Sequence, residues 1–122
     1  MDELWARLRS FRYAFAGVRL LLREEHNARI HATITVLVVV AGVVLHVTLA
    51  EWCMLLLCIG MVLAAEAFNS AIERICDYLT TEHDDRIRDI KDLAAGAVLL
   101  CAIAAAIVGL IVFVPHIVYC YV

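Results

Sequence analysis

Four polar residues recur along one apolar stretch of the chain: Glu66, Asn69, Glu73 and Asp77. If the stretch is helical, at about 100° per residue, these intervals place all four side chains on one stripe. An acidic side chain inside a membrane span costs about 2.5 to 3.5 kcal/mol to insert, so Glu66 is a functional candidate. A polar seam that only joins helices through hydrogen bonds is the alternative.

Further charged residues are expected at the same cytoplasmic level as Glu73 and Asp77. Lys91 and Asp92 open the next apolar segment, and Glu24 with Glu25 closes the charged N-terminal region. Taken alone, Lys91 is typical of a snorkelling interfacial residue, Asp92 of a helix N-terminus, and the glutamate pair of solvated charge. Taken together, carboxylates for Mg²⁺, a lysine for phosphate and a deeper carboxylate indicate phosphoryl transfer to a lipid hydroxyl.

The sequence contains neither a GxxxxGK[ST] loop nor a GxGxxG loop, which excludes the familiar soluble kinase folds. Composition agrees with this exclusion. Of the 122 residues, 65% are hydrophobic, against about 45 to 50% in soluble domains. We therefore expect one integral membrane domain over residues 1–122. The net charge of -3 gives no indication of a nucleic acid partner, and five cysteines without a CxxC pair predict neither disulfides nor structural zinc.

Hydrophobic periodicity predicts an all-α membrane protein with three transmembrane helices and an N-terminal surface helix. The surface helix is basic and amphipathic, although a soluble helix packed on other protein is the alternative. A tight reversal is expected at residues 50–52, and Trp52 within it is expected to anchor the chain at the membrane interface. The predicted segments are the surface helix 2–25, a first span 30–49, a second helix 52–79 that passes the membrane surface, a polar loop 80–92 and a third span 93–119.

The basic residues predict the orientation. All ten lie either before the first span or between the second and third spans. Because short cytoplasmic loops carry the excess of Lys and Arg, the N-terminus and the 80–92 loop are expected inside and the C-terminus outside. Glu66 then lies about 9 Å within the inner boundary of a hydrocarbon core about 30 Å thick. ATP from the cytoplasm and a lipid alcohol from the bilayer would meet near this depth.

Three strings of the chain resemble the prokaryotic diacylglycerol kinase and undecaprenol kinase family. They are Glu25-His-Asn-Ala-Arg-Ile-His31, Glu66-Ala-Phe-Asn69-Ser-Ala-Ile-Glu73 with Asp77, and Lys91-Asp92-Leu-Ala-Ala-Gly-Ala-Val-Leu-Leu100. The resemblance runs from about Phe11 to Leu100 without a gap. It implies a helical-bundle homotrimer in the bacterial cytoplasmic (inner) membrane, with active sites shared between subunits. It also implies that ATP with Mg²⁺ phosphorylates undecaprenol or diacylglycerol, and which lipid is used stays open.

The resemblance also implies residue roles. Glu66 is expected to be the general base on the lipid hydroxyl, and Glu25 and Glu73 are expected to bind the metal. The residues expected at the nucleotide are Tyr13, Glu25, Glu73, Asp77, Glu82, Asp84, Lys91 and Asp92, and those expected at the lipid are Glu66, Asn69, Arg29 and His31.

Three positions bear on how closely the chain follows the family. The family commonly reads Glu-Tyr-His where this chain has Glu82-His83-Asp84, and Ala16 stands where some members carry lysine. His31 resembles the undecaprenol kinase branch, and an interfacial histidine is the alternative reading of that position.

Two other classes of function are alternatives to a kinase: a small carrier and a non-catalytic membrane subunit. A small ion or proton carrier would use Glu66 as its intramembrane carboxylate. A carrier needs a polar route to both sides, and the outer half of the spans offers only His46 and Glu51 at the turn. A non-catalytic membrane subunit would not require Glu25, Glu73 and Lys91 at one level.

We further expect neighbouring subunits to complete the site, because the three spans of one protomer are too few to bury Glu66, Asn69 and Glu73 away from lipid.

Overall fold

The chain forms four helices in a computed structural model that describes residues 1–121, with side chains described for residues 1–119. They are α1 (Asp2–Glu24), α2 (His26–Val44), α3 (Leu49–Leu79) and α4 (Asp85–Tyr121), and there is no strand among these residues. Helices α2, α3 and α4 are each long and apolar enough to cross a membrane. The prediction of an all-α protein with three membrane-spanning helices is confirmed.

Helix α1 occupies the segment expected to form the amphipathic helix. Its apolar side chains at Leu4, Leu8 and Phe11 are exposed, and Leu21 is its buried residue. Glu25 separates α1 from α2 with an extended backbone, at φ -101° and ψ 113°. Because a single residue makes this connection, α2 begins at His26, ahead of the first apolar residue of the expected span 30–49.

The reversal between α2 and α3 lies at residues 45–48, and not at the expected positions 50–52. His46 adopts φ 54°, a left-handed conformation that turns the chain sharply. Thr48 then caps α3: its hydroxyl accepts the Glu51 backbone N–H at 3.2 Å, while the Glu51 carboxylate accepts the Thr48 N–H at 2.9 Å. This reciprocal capping box starts the helix at Leu49. The residues expected to turn therefore form the first turn of α3.

Helix α4 begins eight residues before the expected third span at 93. Asp84 Oδ1 accepts the backbone N–H of Arg86 at 2.8 Å and of Ile87 at 3.4 Å, the bonds made by an N-terminal cap. The polar residues 85–92 are therefore helical, and the expected loop 80–92 shortens to 80–84. The prediction that Asp92 sits at a helix N-terminus is wrong, because Asp92 lies two turns inside α4.

The buried apolar core lies toward the outer end of the bundle as predicted from the basic residues. Val47, Leu55 and Val112 form it, and Trp52 packs against it. Gly42 of α2 faces the Trp52 ring so closely that an added Cβ would lie 2.6 Å from the ring atom Cη2. At the same end, His116 of α4 lies 3.0 Å from a Glu51 carboxylate oxygen. This end thus joins all three spans.

Candidate functional site

A run of buried polar side chains lies in the C-terminal half of α3. Glu66 is 3% exposed, Ser70 6% and Asn69 8%, and these are the buried polar residues among the described side chains. Glu73 is partly buried and Asp77 is exposed, so burial decreases toward the C-terminal end of the helix. The expectation that one protomer has too few spans to bury Glu66 and Asn69 is wrong, because this single chain buries both.

Helix α2 brings His31 to Glu66. His31 Nε2 lies 3.8 Å from Glu66 Oε2, and the imidazole is 22% exposed. This distance is too long for a hydrogen bond, so the contact is electrostatic when the histidine is protonated. Glu73 lies two turns along α3 from Glu66, and Glu25 Oε1 lies 3.5 Å from Arg74 Nη2, the residue that follows Glu73. Four of the residues selected from the sequence thus converge on one region of α2 and α3.

Two buried polar atoms beside Glu66 have no protein partner in the described part of the chain. Asn69 Nδ2 donates to Glu73 Oε1 at 3.4 Å, but Asn69 Oδ1 and Ser70 Oγ bond to none of these residues. A buried polar group without a partner costs about 1 to 3 kcal/mol. Such atoms are suited to a polar group that comes from a substrate or another subunit. Ser70 was not selected from the sequence, although it lies four residues after Glu66 on the same stripe.

Arg74 connects α3 to the junction between α1 and α2. Its Nη2 donates to Glu24 Oε2 at 2.7 Å and lies 3.5 Å from Glu25 Oε1. The sequence did not identify this arginine as part of the site, although Glu25 was expected to bind the metal and the glutamate pair taken alone was expected to be solvated. The two adjacent glutamates at a helix end were the available signal, since paired negative charge favours a basic neighbour. Arg74 therefore ties Glu25 to the helix that carries Glu66 and Glu73.

Lys91 and Asp77, both expected at the nucleotide, bond to each other. Lys91 Nζ donates to Asp77 Oδ1 at 2.6 Å, and this pair links α4 to the cytoplasmic end of α3. Asp92, the neighbour of Lys91, is exposed. A phosphate that binds Lys91 would have to share the ammonium group with Asp77.

Three other residues selected from the sequence are exposed. Tyr13 is 77% exposed on α1, and Arg29 and Glu82 are exposed at the start of α2 and in the 80–84 loop. Asp84 is used as the cap of α4, and the backbone N–H groups of Arg86 and Ile87 hold the pKa of its carboxyl below the usual value. The single chain therefore does not gather all the residues expected at the nucleotide.

Glu25 and Glu73 are the residues whose chemistry suits a divalent metal. No group of three or more His, Cys, Asp or Glu side chains within the described residues could hold a metal ion by itself. Protein sites for Mg²⁺ commonly use one or two carboxylates together with substrate phosphates and water. Glu25 is 26% exposed and Glu73 is partly buried, so both carboxylates are accessible to solvent. Their chemistry is that of the carboxylates in such a shared site.

Known proteins similar to this chain are lipid kinases by name. An undecaprenol kinase of Bacillus subtilis (strain 168) is 34% identical over 114 residues, which cover 93% of each chain. A diacylglycerol kinase of Synechocystis is 40% identical over 107 residues, or 87% of this chain and 61% of that protein. A diacylglycerol kinase of Escherichia coli (strain K12) is 29% identical over 104 residues, which cover 85% of each.

The family model described as prokaryotic diacylglycerol kinase matches residues 12–113. This match includes α2 and α3 entirely, together with most of α1 and α4. It also takes in every residue selected for the site, from Tyr13 to Asp92. The resemblance noted in the sequence is thereby confirmed, and the chain belongs to the prokaryotic diacylglycerol kinase family.

Proposed function

We propose that this membrane protein transfers the γ-phosphoryl group of ATP to the hydroxyl of a membrane lipid alcohol, undecaprenol or diacylglycerol. The observation that carries the proposal is the nearly complete burial of the Glu66 carboxylate, which lies 3.8 Å from His31. Family membership supports the reaction class, and the names of the relatives support the two candidate lipids.

Glu66 is the general base in this proposal. Its carboxylate accepts the proton of the lipid hydroxyl while the hydroxyl oxygen bonds to the γ-phosphorus and the bond to ADP breaks. The products are the lipid monophosphate and ADP. His31 lies beside the carboxylate, and Asn69 with Ser70 offers polar atoms to orient the alcohol. A buried base suits a substrate whose hydroxyl is attached to a hydrocarbon chain.

The phosphates lie on the cytoplasmic side of Glu66 in this arrangement. Glu25 and Glu73 are the residues that would hold Mg²⁺, which when bound neutralises phosphate charge during transfer. Lys91 supplies a cation for the phosphates after it releases or shares Asp77. Along α3, the separation from Glu66 to Glu73 is about 10 Å, which is enough for a hydroxyl, the γ-phosphate and a metal. The exposed residues Tyr13, Glu82, Asp84 and Asp92 contribute to nucleotide binding in the proposal.

The proposed assembly is a homotrimer in the bacterial inner membrane, with the N-terminus in the cytoplasm and the C-terminus outside. The distribution of Lys and Arg supports the orientation. Family resemblance supports the trimer, as do the buried atoms Asn69 Oδ1 and Ser70 Oγ, since another subunit is one source of their missing partners. Tyr13 and Arg29, which are exposed in one chain, would complete a neighbour's site.

A direct assay tests the activity. The purified protein is incubated with γ-labelled ATP, Mg²⁺ and micelles that contain either undecaprenol or dioleoylglycerol, and labelled lipid is extracted and counted. We expect labelled lipid monophosphate from at least one alcohol. Glu51→Gln serves as the matched control for Glu66→Gln, because it is the same change at the opposite end of α3 and it keeps a capping side chain. Absence of labelled lipid with both alcohols would refute the proposed function.

A further inference from the structure

An apolar groove runs between the three membrane-spanning helices from the candidate base toward the outer end of the bundle. Its volume is about 270 Å³, and α2, α3 and α4 all contribute to its walls. His31 lies at one end, 3.8 Å from Glu66, and Phe113 lies at the other. The groove is therefore continuous with the proposed site for the lipid hydroxyl.

The dimensions of the groove fit one hydrocarbon chain. Along α4 it extends from Ala102 to Phe113, which at 1.5 Å per residue is about 16 Å. This length is about half of a hydrocarbon core about 30 Å thick, and since it starts about 9 Å inside the inner boundary the groove crosses the middle of the core. The volume lies slightly below the range of about 300 to 1,000 Å³ usual for pockets that enclose a whole small ligand. The groove is therefore too small to enclose a complete two-chain lipid, and a single chain is the occupant to test.

The lining also suits a hydrocarbon. Nine of the thirteen residues that face the groove have aliphatic or aromatic side chains, and the others are His31, Thr35, Cys58 and Gly109. The hydroxyl of Thr35 already donates to the backbone oxygen of His31 at 2.8 Å, so it needs no partner from a ligand. Hydrocarbon burial in such a groove is favourable mainly through close packing, because lipid tails and the lining are equally apolar.

Small residues of α4 create the space. Ala102, Ala105 and Gly109 line the groove at intervals of three and four residues, which places them on one face of the helix. A Cβ added to Gly109 would meet no atom within 4 Å. A larger side chain at this position would extend into open space without moving the backbone, so Gly109 sets how much of the groove is available.

We propose that this groove holds the hydrocarbon chain attached to the reacting hydroxyl and that Gly109 determines the length of chain accepted. This inference rests on the proposed lipid kinase activity and specifies how its substrate is bound. The hydroxyl lies at Glu66, and the chain passes His31 and extends along α4 toward Phe113. Acyl and prenyl chains share this chemistry, so diacylglycerols and polyprenols are the two classes of ligand to compare.

The experiment compares Gly109→Leu with Gly60→Leu. Gly60 is a matched control because its added Cβ also meets no atom within 4 Å and it does not line the groove. For Gly109→Leu we expect the KM for dioleoylglycerol to rise at least about tenfold, because the leucine side chain would displace several methylenes of the acyl chain from the groove. The KM for dihexanoylglycerol and for ATP should stay unchanged. The same comparison between farnesol and undecaprenol tests the prenyl class.

A second measurement does not require turnover. A diacylglycerol with a photoreactive diazirine at the end of one acyl chain should cross-link near Leu55 and Gly109 in the wild-type protein and in Glu66→Gln. Gly109→Leu should abolish these cross-links, and Gly60→Leu should retain them. Cross-links confined to the outer surface of the bundle, or equal kinetic effects of the two leucine variants, would overturn the inference. A change of oligomer size in Gly109→Leu with equal losses for all lipids would show instead that a second copy fills the groove.

The outcomes separate the inference from the activity on which it rests. If the wild-type protein phosphorylates lipid alcohols but the groove variants show no dependence on chain length, the groove assignment fails and the kinase assignment stands. If photolabelling occurs in the groove but no lipid alcohol is phosphorylated, the protein binds the chain and the kinase assignment fails.

Discussion

His31 Nε2 and Glu66 Oε2 lie 3.8 Å apart, joining the second turn of α2 to the most buried carboxylate of the chain. The two groups are close enough to interact electrostatically but too distant for a hydrogen bond. A lipid hydroxyl that donates to Glu66 would therefore break no existing hydrogen bond between these side chains. Replacement of Glu66 therefore distinguishes a role as general base from a purely structural role.

Glu66→Gln should lower turnover at least about 100-fold, the low end of the contribution of general base catalysis. Glutamine keeps the size and the hydrogen-bonding capacity but cannot accept the proton of the alcohol. The variant should fold and bind ATP as the wild type does, which circular dichroism and a nucleotide-binding assay would check. Wild-type turnover should also fall as the pH decreases through the pKa of Glu66, because the protonated acid is not a base. Near-normal turnover in Glu66→Gln would assign the residue to packing.

Glu25→Ala and Glu73→Ala should each raise the Mg²⁺ concentration that gives half-maximal rate by about tenfold, equivalent to about 1.4 kcal/mol of binding. The rate should partly recover in excess Mg²⁺. Both side chains are only partly buried, so helix content measured by circular dichroism should not change. The control is Asp89→Ala, because Asp89 is an exposed carboxylate in the N-terminal part of α4. Mg²⁺ titrations that match the wild type in both variants would remove the two glutamates from the metal site.

Mixed oligomers test whether the site is shared. Glu66→Gln and Lys91→Ala chains should each be inactive alone, and co-assembly should restore part of the activity if the two residues act from different subunits. Cross-linking of the purified protein should stop at trimers. One chain already buries Glu66, so the burial of Glu66 is not evidence for a trimer. The mixed-oligomer experiment is therefore the test of the shared site. Full activity of a detergent-solubilised monomer would refute a shared site.

Asp84 allows capping and nucleotide binding to be separated. Asn is as good an N-terminal cap as Asp, so Asp84→Asn should keep the start of α4 while it removes the negative charge. If the carboxylate contacts the nucleotide, the KM for ATP should change several-fold in Asp84→Asn although helix content is retained. Asp84→Ala should lose both properties. An unchanged KM for ATP in the asparagine variant would show that Asp84 acts only as the cap.

Periodicity was sufficient to predict which residues of α3 share a face. Glu66, Asn69 and Glu73 fall on one side of the helix because helical geometry is local, and the three long apolar runs identify the spans for the same reason. Hydropathy marks where a chain leaves lipid and does not mark where a helix ends. The eight residues from Asp85 to Asp92, six of them charged, were therefore predicted as part of a loop although they form the first two turns of α4.

Long-range pairing was not available from the sequence. Arg74 meets Glu24 across 50 positions, and His116 meets Glu51 across 65, so neither pair leaves a periodic signal. The reversal at residues 45–48 was missed for a different reason. It depends on the left-handed backbone of His46, a conformation that is uncommon outside glycine and is not encoded by hydrophobicity.

The contact between Gly42 and the Trp52 ring has a consequence for how a substrate reaches the site. An added Cβ at Gly42 would overlap the indole, so α2 and α3 cannot move closer at their outer ends, and the capping box fixes the turn that joins them. At the opposite ends of the helices, Ala28, Cys76 and Ala94 are buried, and the ion pairs of Arg74 and Lys91 are exposed. Exposed ion pairs contribute little stability, about 0 to 1 kcal/mol each. A lipid that enters between α2 and α3 is therefore expected to pass on the side of Glu66, because the Gly42–Trp52 contact closes the other end.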